Sequence, residues 1–236
     1  MRVERRGLTS WGVAMACAVS VQTAPRPAVA KPAKDARFAL SIPDGFAPSP
    51  RKATTGTIYV AGDFPRFAVV SVTAWPIREL LAAESAAASL PGLPAPSAPS
   101  AADATSATSF AALGAPEKAV LLLLRARDRE ASAGALESTL LSSKLEEAKL
   151  RFEFDTPLPV SDPDALFEQR GVRQLIRRTT ATSTIGSVAV SGGGGGGSAV
   201  PAVITVWGSA LVQDFEHDLG GILRDSVSSF DWLRAS

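Results

Sequence analysis

The sequence predicts an α+β fold, a central antiparallel β-sheet flanked by helices. Three observations predict it. Lys149–Asp155 alternates Leu150, Phe152 and Phe154 against Arg151, Glu153 and Asp155, the period-two pattern of a strand with one buried face. The strand-like runs are joined as hairpins are, rather than each being followed by a helix, which favours antiparallel pairing. Near the C-terminus, Leu211, Phe215, Leu219, Ile222, Leu223 and Val227 recur at helical spacing, so that segment presents an apolar stripe to a sheet.

The elements follow in order. Arg37–Phe46 places Phe38, Leu40 and Ile42 on one face and turns at Pro43-Asp44-Gly45. Gly56–Val60 is a short strand that Gly62 and Pro65 should break. Arg66–Trp75 is rich in β-branched residues, and Pro76 stops it. A short helix is expected at Ile77–Glu84. Pro116 sits like a first-turn proline with Glu117 beside it and arginines further on, which predicts a helix to about Glu130, ended by Gly134. Leu136–Leu145 fits helix or strand. Asp155–Phe167 reads as a loop. Gly171–Val190 and Ala202–Ala210 read as two strands, followed by the closing helix, whose middle Gly220-Gly221 weakens.

Two stretches interrupt this pattern. Residues 85–109 are rich in Ala, Pro and Ser and hold only two leucines as large apolar residues. Such a segment cannot bury enough surface to offset its ordering entropy, so it reads as a flexible insertion. Neither flank completes a domain, so residues 31–236 are expected to form one domain. Residues 191–198 contain six consecutive glycines with no phosphate-loop Lys-Ser/Thr after them. They read as a flexible hairpin linker.

The first thirty residues read as a cleavable signal. Arg5-Arg6 precedes an uncharged Ala- and Val-rich run, and Ala28-Val29-Ala30 supplies small residues for a cut, the layout of a twin-arginine export signal. Gly7, Thr9, Ser10, Ser20, Gln22 and Thr23 dilute the run too much for a permanent membrane span. Cys17 loosely fits a lipidation site, but the apolar run continues past it. Cys17 is the only cysteine and His217 the only histidine. A processed chain would have no disulfide and no thiol nucleophile, and the inventory excludes a metal site built on His and Cys clusters. Lys and Arg number 24 against 23 Asp and Glu, a balance that points to no nucleic acid or acidic substrate.

Chemistry-bearing clusters are few. Arg170, Arg173, Arg177 and Arg178 lie along one strand and its approach, where they form a basic docking patch for an acidic partner or a solvated strand edge. His217 lies among Asp214, Asp218, Asp225, Ser226, Ser228 and Ser229, from which a hydrolase triad can be drawn, although no Gly-x-Ser-x-Gly elbow accompanies it. Glu146-Glu147 and Asp162/Asp164 are paired carboxylates or cation ligands, with ordinary turns as the competing account. Trp75, Trp207 and Trp232 belong to the core or its rim, and an exposed one would be an interface anchor.

Several segments, in this order, resemble the PsbP family of the oxygenic photosynthetic lumen: "FALSIPDGF", "DFPRFAVVSVTAW", "LGAPEKAVLLLL", "KLRFEFD", "VRQLIRRTTA", "VITVWGSA" and "VSSFDW". They span Phe38–Trp232. Phe46 stands where the family pattern has tryptophan, the family's double tyrosine is absent, and Tyr59 is the only tyrosine. The chain therefore resembles a divergent PsbP-domain protein rather than the oxygen-evolving subunit itself. The resemblance implies an α/β/α sandwich and a non-enzymatic protein of the chloroplast thylakoid lumen. Such a protein is extrinsic to the membrane and assists assembly, stability or oxygen-evolving function of photosystem II or a neighbouring complex. Calcium enters through the resemblance alone, and no other cofactor is expected. The same fold occurs in a nuclear Ran-binding protein, a role that an export signal opposes. The alternatives are a lumenal or periplasmic hydrolase-like enzyme centred on His217 and a module binding a small ligand or ion between sheet and helices. A plastid import signal has no room before Arg5, so Met1 is expected not to be the true start unless the gene resides where no import is needed.

Overall fold

The computed structural model describes residues 31–33, 35–50, 56–88, 109–130, 137–190 and 198–233. Arg5, Arg6, Ala28 and Ala30 of the expected signal, most of the 85–109 insertion and the six glycines lie outside the described residues.

The chain is an α+β sandwich built on one seven-stranded antiparallel sheet. Four two-residue strands form first: β1 (Lys31–Pro32), β2 (Phe38–Ala39), β3 (Ser41–Ile42) and β4 (Ala47–Pro48). Then come β5 (Thr57–Asp63), β6 (Ala68–Pro76), helix α1 (Ile77–Ala88) and helix α2 (Pro116–Glu130). The hairpin β7 (Thr139–Glu146) and β8 (Lys149–Leu158) leads to helix α3 (Pro163–Arg170). The long strands β9 (Leu175–Val190) and β10 (Ser198–Leu211) follow. The closing rod comprises α4 (Val212–Asp214), a π-helical turn (Phe215–Leu219) and α5 (Gly220–Ser228), and the described chain ends in β11 (Asp231–Trp232). The sheet order is β4-β5-β6-β10-β9-β8-β7. The connection from β6 to β7 therefore runs from mid-sheet to the far edge, and α1 and α2 make that crossing over one face.

Alternation along each strand divides the core in two. Phe152, Phe154, Ala181, Val203 and Trp207 face α1 and α2, where Leu80, Val120, Leu123 and Leu124 cover them. Val70, Val72, Ile204 and Val206 face the other way, onto Phe38, Leu40, Phe215, Leu219, Leu223 and Val227. Close approach of α5 depends on Gly208 of β10. A Cβ there would lie 3.0 Å from Val227 Cγ2 and 3.3 Å from Leu223 Cβ, tighter than most packed side chains come. Two buried hydroxyls, Ser183 and Thr205, stand opposite each other on β9 and β10 and hydrogen-bond at 2.7 Å, so neither is left unmet.

The helix predicted at Pro116 runs to Glu130, and the ambiguous segment before Leu145 is strand β7. The long strands pair up to Val190 and Ser198, so the glycine run joins a hairpin. Three readings need correction. Gly62 does not break its strand: it pairs with Val69 and Ala47, where a Cβ would lie 2.7 Å from the Ala68 carbonyl oxygen. The first helix continues past Glu84 to Ala88, since Ser85 and the alanines after it are compatible with helix. The loop expected up to Phe167 contains α3. Asp162 caps it by accepting from the backbone N–H of Asp164 and Ala165, Pro163 opens it, and Gly171 closes it at φ 71°.

Candidate functional site

The charged residues of β8 and β9 that point away from the α2 side meet the polar side of the closing rod. On β8 these are Arg151, Glu153 and Asp155, the set that alternates with the buried Leu150, Phe152 and Phe154. Asp155 stands directly opposite Arg178 on β9. Arg178 donates to it bidentately, Nε to Oδ1 at 2.8 Å and Nη2 to Oδ2 at 2.8 Å, and its Nη1 donates to Glu216 of the π turn at 2.9 Å. About two turns further along, Arg224 donates to Glu153 at 2.6 and 3.3 Å and lies 4.9 Å from the ring centre of Phe215. From the β5–β6 turn, Arg66 donates to Asp218 at 2.6 Å.

These residues border two adjoining hollows. One, of about 310 Å³, is lined by Arg178, Glu216, His217, Asp218 and Arg224. The other, of about 210 Å³, lies between Lys144, Arg151, Glu153, Thr182, Arg224 and Ser228. Together they form an ionic groove beside the rod. The Asp155 carboxylate holds the Arg178 proton far more tightly than usual, with Glu216 adding to it. Glu153 does the same for Arg224, and Asp218 for Arg66. At the sheet edge, Lys144 lowers the Glu146 proton affinity. Arg66, Arg178 and Arg224 thus each have a carboxylate partner in the groove, while Lys144 and Arg151 share Glu146. The groove's direct chemical consequence is to fix the rod's rotation against the sheet.

The Arg178–Asp155 pair is about one-fifth exposed on each side, between a solvated surface pair and a buried one. Replacing Arg178 by Met should lower stability by about 1–2 kcal/mol. The effect should shrink when Asp155 is already Asn. Urea unfolding of the four proteins of this cycle measures the coupling, and additive losses would count against it.

The four arginines singled out in the sequence do not share a face. Arg177 and Arg178 are neighbours on one strand and so project to opposite faces of the sheet. Arg178 belongs to the groove. Arg177 lies on the α2 side. Arg173 is exposed beside α3, 5.3 Å from the ring centre of the half-exposed Phe167 and 3.4 Å from Asp164. Arg170 ends α3, and its side chain lies outside the described residues.

The hydrolase constellation is not assembled from its named members. His217 is 87% exposed. Ser226 lies nine residues along the rod, roughly 13 Å of helical rise, and its buried hydroxyl donates to the Ser41 carbonyl at 2.6 Å. Ser229 donates to the Ser226 carbonyl and accepts from the Ser41 backbone N–H. Both serines fasten the N-terminal strands to the rod. The paired carboxylates are also engaged: Glu146 with Lys144 and Arg151, Asp162 as a helix cap, Asp164 with Arg173. Calcium needs six to eight oxygen ligands. Among the described residues, no three His, Cys, Asp or Glu side chains come close enough to hold a metal ion. Of the tryptophans, Trp75 and Trp207 are buried and Trp232 is half-buried over Gly186. Among the described residues, no helix is long and apolar enough to cross a membrane.

The sequence reading missed Arg224, Glu216 and Glu153 as groove residues. Strand alternation marks Glu153 and Asp155 as sharing a face, and the helical stripe leaves Glu216 and Arg224 on the polar side. Comparison of the chain with known protein families and with curated proteins found no match.

Proposed function

We propose that this chain is a non-enzymatic docking protein of the PsbP type. It is exported to the thylakoid lumen, where it assists assembly or stability of photosystem II or a neighbouring complex. The family segments support this reading through their order, and the sheet covered by helices on both faces agrees with the sandwich that the resemblance implies. The observation that carries the docking mechanism is the pairing of exposed Phe167 with Arg173 at α3. Aromatic and arginine side chains are the types that dominate binding energy when desolvated by a partner. Arg178 and Arg224 are held in short bonds to carboxylates of the groove, whereas Arg173 holds only a solvated carboxylate at 3.4 Å.

The full chain with a C-terminal tag, expressed in a photosynthetic host, should be recovered from the lumen. Affinity capture from thylakoids should bring down subunits of one photosynthetic complex. Arg173→Glu should reduce that recovery severalfold with unchanged thermal stability. Fractionation into stroma or cytosol, or equal capture by the variant, would sink the reading.

A further inference from the structure

The α2 face carries an arginine that the rest of the structure leaves unmet. The other half-buried arginines each reach a carboxylate: Arg66 at 2.6 Å, Arg127 at 2.8 Å and Arg178 at 2.8 Å. Among the described residues Arg177 reaches none, and its Nε–H is buried without an acceptor. A buried unmet donor on a charged group is among the costliest defects in a folded chain and calls for a water or an ion.

The surroundings are specific. Thr156 of β8 is the cross-strand neighbour of Arg177. Arg127, from the last turn of α2, donates to Thr156 Oγ1 at 3.3 Å and to Ser138 Oγ at 3.0 Å. The two hydroxyls are 2.9 Å apart. Whichever donates to the other, the acceptor keeps its own hydrogen. Arg127 thus holds the hydroxyl pair from α2, Arg177 stands across from Thr156 on the same sheet face, and Asp128 is held by Arg127. Burial, and then the charge of Arg127, weaken the hold of Arg177 on its proton. An anion would relieve both.

We propose that Arg177 and Arg127, with the Ser138 and Thr156 hydroxyls between them, form a binding site for a small oxyanion, a carboxylate or a phosphate group. The planar edge of a guanidinium matches two oxygens of either group, and a second guanidinium adds charge and direction. This site lies on the opposite sheet face from the ionic groove and does not depend on the docking reading.

The test follows the arginine Nε–Hε resonances of the nitrogen-15-labelled full chain. Sodium phosphate and sodium acetate are titrated separately, with sodium chloride holding ionic strength constant. The Arg177 resonance is assigned by its loss in Arg177→Lys, and Arg127 by Arg127→Lys. The expected result is a saturable shift of the Arg177 and Arg127 resonances while Arg178 stays still. Binding followed at Arg127 should weaken about tenfold or more in Arg177→Lys, as loss of a charged hydrogen bond requires. A response to phosphate alone assigns a phosphate group, and a response to acetate assigns a carboxylate. Should Arg177→Lys fail to fold, the wild-type titration still decides, with Arg177 identified by proximity to Arg127. No saturable shift with either anion, or one reproduced by chloride alone, overturns the proposal and leaves water as the partner of Nε.

Discussion

Replacing Trp207 by Ala should cost about 3–5 kcal/mol, the range for removing a large aromatic side chain from a packed core. Trp207 is 5% exposed and sits on β10 at the centre of the α2-facing core. Its ring meets Phe152 edge-on with centres 5.6 Å apart and Phe154 with centres 6.1 Å apart. The flanking strands are fixed by ladders on both sides, Ser71 across on β6 and Ala181 across on β9, so the backbone cannot collapse into the space. A polar loss adds to the cavity. Trp207 Nε1 donates to the buried Thr73 hydroxyl at 2.8 Å, which alanine leaves without that donor. Trp207→Phe keeps most of the volume and should cost about 1–2 kcal/mol, chiefly the hydrogen bond. Denaturant unfolding followed by circular dichroism measures both. A midpoint for Trp207→Ala within error of wild type would refute this account of the core. If the alanine protein does not fold, the phenylalanine protein still tests the polar part.

The same residues show what a sequence can and cannot disclose. The alternation in Lys149–Asp155 was readable because a strand's two faces are written at period two. It marked Phe152 and Phe154 as core and Glu153 and Asp155 as the other face. The helix from Pro116 was readable from local chemistry at its start. Partners across the fold were not. Glu153 and Arg224 lie 71 residues apart, and their meeting depends on sheet order and on the rod's rotation, both set by non-local packing. The split between Arg177 and Arg178 was readable in principle, since neighbours on a strand diverge. Reading them as a charge cluster obscured it. Helix α3 was obscured by its composition: a proline-rich stretch suggests a loop, yet Asp162-Pro163 is a cap followed by a first-turn proline.

Alanine at Gly220 and at Gly221 should move stability in opposite directions. In an ordinary helix interior either change gains roughly 0.5–1 kcal/mol, because glycine loses more backbone freedom on folding. Gly221 should follow that rule. It is exposed, and nothing lies within 4 Å of a Cβ placed there. Gly220 should break it. Its N–H donates to the Phe215 carbonyl, closing the π turn, and a Cβ there would lie 2.4 Å from that oxygen and 2.9 Å from Phe215 Cδ1. Overpacking of this kind costs about 1–3 kcal/mol. The turn has a reason to exist that the sequence carries. Leu211, Phe215, Leu219, Leu223 and Val227 recur at intervals of four, and at 3.6 residues per turn each such step drifts by roughly 40°. A π turn absorbs part of that drift and keeps the stripe on the sheet, with Glu216 still opposite Arg178. Gly220→Ala should therefore also weaken the coupling between Arg178 and Glu216, measured by a double-mutant cycle in that background. Equal stabilisation by both alanines would mean that the rod closes as a regular α-helix without help from Gly220, and the glycine would then have no part in setting the groove.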